Sequence, residues 1–150
     1  LHSWLMLTKS KIHFPNLKTP LLNHQILLNF TMPHLKLEHT KNVGPDNIQA
    51  VFKELINILI ENAGVNKETC KCKAIQIPVN KIGSNVSGHF YHLEISLLKG
   101  RSEHVRQKIG QGAIESLKKY FSDKNYKNDP QFSVEIREMN PGNYFTSNTL

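Results

Sequence analysis

Arginine is scarce: only Arg101, Arg106 and Arg137 occur, although Lys and Arg together number 19 and the formal net charge is +7. Three of those charges, Lys9, Lys11 and Lys18, lie in residues 1–32, where no acid occurs, so the remainder carries only +4. Its lysines are scattered among acids and form no stripe, which argues against a phosphate-backbone footprint and against nucleic acid as a partner. Cysteine is equally rare, with Cys70 and Cys72 one residue apart. An extended backbone would point both thiols the same way at about 6 to 7 Å, too far for a mutual disulfide. Their spacing matches no usual zinc pattern and no His pair stands at i, i+4 beside them, so no metal is expected. Free thiols fit a reducing cytoplasm. Long apolar runs are missing too: Leu21 to Phe30 is broken by Asn23, His24, Gln25 and Asn29, well short of the roughly 20 apolar residues a membrane span needs. No membrane partner is expected.

Residues 1–32 mix Leu, Asn, Lys and His without period, contain Pro15 and Pro20, and form a poor folding unit. A signal or transit peptide would lead with basic residues or arginine and end in a small-residue cleavage site, and none of these is present. The chain opens on Leu1, while Met32-Pro33 stands directly before the first patterned strand. The expectation is therefore an early-called start, with Met32 as initiator and a single domain over 33–150.

From Pro33 the pattern becomes regular. Leu35 and Leu37 alternate with polar neighbours, as in a strand with one buried face. After Gly44-Pro45-Asp46, Ile48, Val51, Phe52, Leu55, Ile58 and Leu59 recur at helical spacing up to Gly64. Ile75, Ile77 and Val79 alternate again, and His89 to Leu98 reads as a longer strand after a turn at Gly83-Ser84-Asn85. Ser102 can cap a helix of about five turns with Val105, Ile109, Ala113, Ile114, Leu117, Tyr120 and Phe121 on one face. Phe132, Val134 and Ile136 mark a last strand. The order β-α-β-β-α-β predicts a two-layer α+β sandwich: paired β-α-β units in one mixed sheet, with both helices on one face. The other face, expected to be apolar, would need a cover, which other subunits can supply.

Met32-Pro33-His34-Leu35, Gly100-Arg101-Ser102 with Arg106-Gln107, Phe132-Ser133-Val134-Glu135-Ile136, and Asn140-Pro141 through Asn143-Tyr144-Phe145 together resemble 5-carboxymethyl-2-hydroxymuconate isomerases of the tautomerase superfamily. The resemblance spans about Met32 to Leu150. It implies a homotrimer and a cofactor-independent isomerase acting on small carboxylated enols in bacterial breakdown of aromatic compounds. It also implies an amino-terminal proline as catalytic base, here Pro33, and an arginine for substrate carboxylate, here Arg101. A prolyl amine is a secondary amine, and burial near cations disfavours its protonated form, which makes it a base near neutrality. With residues 1–32 attached, the same nitrogen is a tertiary amide and cannot act. The arginine fork can hold a carboxylate bidentately beside outward-pointing backbone N–H groups.

The resembling isomerases carry a further substrate-binding arginine near the second strand, where this chain has Lys71 and Lys73; lysine keeps the charge and loses the fork. Phe145 and Tyr144 could wall an apolar pocket around the proline. Plainer roles compete: Pro33 as an edge-strand proline, Arg101 as a solvated loop residue, the two lysines as strand surface, and the tail aromatics as subunit packing. His34, His39, His89 and His92 read as structural or surface residues. The alternative function is a non-catalytic tautomerase-fold oligomer that binds an anionic ligand or a protein, with Pro33 blocked.

Overall fold

The computed structural model describes residues 32–84, 88–122 and 130–147. Apart from Met32, the expectation for residues 1–32 lies outside the described residues. β1 (His34–His39) buries alternate side chains, with Leu35 and Leu37 fully inside. Pro45 opens α1 (Pro45–Ala63) in the first turn, where its missing N–H costs nothing. Gly64 ends it in the left-handed conformation at φ 62°, donating its N–H to the Ile60 carbonyl at 3.0 Å. β2 (Lys71–Gln76) and β3 (Phe90–Leu98) follow. The Ser102 hydroxyl caps α2 (Glu103–Phe121) by accepting the Val105 N–H at 3.3 Å, and β4 (Gln131–Met139) completes the set.

The sheet order is β2-β1-β3-β4. β1 runs parallel to β2 and β3 parallel to β4, while β1 and β3 are antiparallel. Two β-α-β units thus stand side by side, and their helices share one face. Val51, Phe52, Leu55 and Leu59 of α1 meet Ile109, Ala113, Leu117 and Phe121 of α2 over Leu35, Leu37, Leu93 and Ile95. Each of these side chains other than Ala113 contributes roughly 1.5–3 kcal/mol when fully buried. Tyr91 stacks on Phe121 at 4.5 Å and on Phe132 at 5.4 Å, joining β3 to α2 and β4.

Two expectations are corrected. β2 starts earlier than the alternation of Ile75, Ile77 and Val79 suggests, and it buries the other register: Cys72 and Ala74 face the helices, while Ile75 is 43% and Val79 85% exposed. Its last ladder bond runs from Ile77 N–H to the His39 carbonyl at 2.8 Å, and Pro78 has no N–H with which to continue. The sheet face away from the helices is not apolar either. Glu94 accepts from Lys36 at 3.4 Å and from Arg137 at 3.3 Å, Lys36 also reaches Glu38, and His92 meets Ser133. Charge, and not hydrocarbon, covers this layer. Among the described residues, no helix is long and apolar enough to cross a membrane.

Candidate active site

Topology gathers the candidate residues at one end of the sheet. β1 starts beside the start of β2, with His34 opposite Lys71, and beside the end of β3, with His34 opposite Ser96. Because β4 is parallel to β3 and Leu98 pairs with Met139, β4 also ends there. Pro33, Lys71, the Gly100-Arg101 corner and the tail after Met139 therefore share one rim.

Pro33 is fully buried, and its carbonyl accepts the Lys71 N–H at 2.8 Å. Met32 before it is only 9% exposed. Gly100 turns the chain from β3 toward α2 at φ 129°, a conformation that favours glycine. Arg101, half-buried, donates Nη1–H to the Leu98 carbonyl at 2.6 Å, which fixes the guanidinium against the strand end. Its own carbonyl accepts from Arg106 Nη1 at 2.6 Å, and Arg106 is held by Glu138 at 3.1 Å. Burial pulls the Arg101 pKa below its ordinary value, against an opposing pull from Glu138.

Lys71 and Lys73 stand exposed on β2, on the face that carries His34. Burial first, then the charges of Lys71 and Lys73, push the His34 pKa down. His34 Nε2 lies 2.9 Å from the Tyr144 hydroxyl, with the rings 5.6 Å apart at 59°. From the sequence alone, His34 reads as a structural or surface residue. Its pairing with a residue 110 positions away is a product of topology, and the one local signal was its place directly after Pro33. Phe145 is 87% exposed within the protomer.

An open groove of about 690 Å³ lies elsewhere, between α1 and the helix-facing side of β2, and borders Phe52, Lys53, Cys70, Cys72 and Lys73. Of the candidates only Lys73 touches it, and Pro33 and Arg101 do not. Burial raises both thiol pKa values, that of Cys72 to about 11, which leaves them poor nucleophiles near neutrality. His39, His89 and His92 have structural partners: the Lys41 carbonyl at 2.8 Å, the Thr40 hydroxyl at 3.3 Å and the Ser133 hydroxyl at 2.8 Å. No group of three or more His, Cys, Asp or Glu is placed to hold a metal among the described residues.

A family model described as 5-carboxymethyl-2-hydroxymuconate isomerase matches residues 33–150. Among the curated proteins, no sequence matches. A 5-carboxymethyl-2-hydroxymuconate isomerase from Deinococcus radiodurans is 25% identical with a TM-score of 0.70, covering 82% of this chain and 94% of that one. A 5-carboxymethyl-2-hydroxymuconate delta-isomerase is 16% identical with a TM-score of 0.65, covering 81% and 90%. A fused 4-OT symmetric trimer is 13% identical with a TM-score of 0.65, covering 78% and 94%. The four-strand mixed sheet with two helices is the tautomerase-like α+β fold of these neighbours.

Proposed function

This chain belongs to the 5-carboxymethyl-2-hydroxymuconate isomerase family, and from that membership we propose a cofactor-independent tautomerase with the Pro33 amine as base and Arg101 as carboxylate ligand. The substrate class is 5-carboxymethyl-2-hydroxymuconate or a similar carboxylated dienol. The amine takes the enol hydroxyl proton and returns it to a distant carbon of the conjugated chain, leaving a ketone. No electron leaves the substrate and no co-reactant is consumed, so general acid–base catalysis suffices.

The observation that carries this reading is the shared rim. Pro33 and Arg101 stand 68 positions apart in the sequence, yet the antiparallel β1–β3 pair brings the start of one strand to the end of the other. Lys71, Lys73 and Arg101 supply the cations that favour a neutral amine at Pro33 and an anionic substrate beside it. Lysine in place of a second arginine gives looser carboxylate geometry, so the preferred acid need not be the one in the family name. The working protein would be cytoplasmic and trimeric, as the fused 4-OT structure is described as a symmetric trimer. Phe145 would then meet a neighbouring subunit.

The amine must be free for this chemistry. A protein that keeps residues before Pro33 would suit the second reading, a tautomerase-fold oligomer that binds an anionic ligand or protein without catalysis. Ultraviolet absorbance with 5-carboxymethyl-2-hydroxymuconate and simpler 2-hydroxydienoates separates the two. Turnover is expected from protein starting at Pro33 and not from the 150-residue chain. Silence from both leaves a binding protein, or an isomerase of a different acid, as the better reading.

A further inference from the structure

We propose that the His34–Tyr144 hydrogen bond is a latch that holds the C-terminal tail over the Pro33 end of the sheet, making His34 and Tyr144 positioning residues for substrate binding. As a statement about substrate, this rests on the tautomerase reading above. The tail leaves β4 through one tight turn, Pro141–Asn143, shaped by its own bonds: Asn140 Oδ1 accepts the Gly142 N–H at 3.0 Å and the Asn140 carbonyl accepts the Asn143 N–H at 2.9 Å. Such local bonds set the form of a turn and not its placement on the body. Pro141, Gly142 and Asn143 are exposed, whereas Tyr144 is half-buried. Its hydroxyl reaches an imidazole on the residue directly after Pro33, at 2.9 Å. Phe145, the next residue, is 87% exposed, so where Tyr144 is held contributes to where Phe145 is presented.

The surroundings suit a neutral ring. Facing His34 are Lys71 and Lys73 from β2, Ser96 from β3, Lys36 two positions along β1, and Tyr144 from the tail. Lys36 is already matched by Glu38 and Glu94. A neutral imidazole keeps one unprotonated nitrogen that can accept the tyrosine hydroxyl. Losing a hydrogen bond of this kind raises the open-to-latched ratio about fivefold, and apparent affinity falls with the competent fraction while the chemistry of bound substrate does not.

Hydrogen exchange in the full 150-residue chain is the primary test. Tyr144→Phe and His34→Ala are each expected to speed exchange of the tail amides of Asn143 and Tyr144 about fivefold. The double variant should be no faster than either single one, because one bond is lost in all three. Unchanged exchange, or effects that multiply, overturns the latch. Tyr144→Phe, which removes one oxygen, covers the case in which His34→Ala does not fold. In protein starting at Pro33, Tyr144→Phe should raise KM by less than the fivefold change in the ratio and leave kcat unchanged; a fall in kcat with KM constant overturns the positioning role. If that protein turns over nothing even unmutated, the exchange data alone decide the latch.

Discussion

His34 links the stability of this protein to pH in a definite direction. Its folded pKa lies below the ordinary 6.5, so the native state binds fewer protons than the unfolded chain once pH falls through that window. Stability carried by the neutral ring is complete above 6.5 and is lost as pH drops through the lowered folded value. Urea midpoints between about pH 5 and 7.5 should fall on the acid side, and His34→Gln should flatten that slope; an unchanged slope assigns it elsewhere. Arg101 carries a second prediction. Arg101→Lys keeps the charge but gives up the fork and the Leu98 carbonyl contact, so kcat/KM should fall about ten- to hundredfold, mostly through KM.

Helix ends and helix interiors respond oppositely to the same substitution. Gly64 closes α1 at φ 62° with open space around it, so Gly64→Ala meets only backbone strain and should cost about 1 kcal/mol in urea unfolding. Gly110 lies within α2, where an added Cβ would stand 3.7 Å from Ile136 Cδ1, ordinary contact. Gly110→Ala should therefore stabilise by about 0.5–1 kcal/mol through helix propensity. If both substitutions destabilise, α2 has no room against β4. The helices were legible in the sequence because their apolar positions recur every three or four residues between Pro45, Gly64 and the Ser102 cap. β2 was not: it is a half-exposed edge strand, and its inward residues are Cys72 and Ala74, which no hydrophobic alternation marks.

For the protomer as a unit, the outer sheet face matters most. Isolated surface ion pairs contribute little, but Glu94 is only 15% exposed and serves Lys36, Arg137 and Ser96 together. Glu94→Gln leaves two cations without that partner and should destabilise by on the order of 1–2 kcal/mol, read from denaturant midpoints. Sedimentation equilibrium is expected to return a trimer for protein starting at Pro33, and a stable monomer would remove the assembly proposed above. A charged face also changes the reason for assembly: the cover anticipated for an apolar layer is not demanded by hydrocarbon here.

Periodicity along the chain was enough to specify both helices, three of the four strands and the two-layer class, because burial of one face imposes a repeat that neighbouring residues must obey. The resemblance rests on contiguous motifs, Met-Pro before a strand and Gly-Arg-Ser before a helix, and these were enough to nominate Pro33 and Arg101 as candidates. Strand pairing is a contact between distant residues, and no local repeat encodes it. Only the folded sheet decided that β1 starts where β3 and β4 end, that Lys71, Lys73 and Tyr144 converge on His34, and that the face opposite the helices carries paired charges.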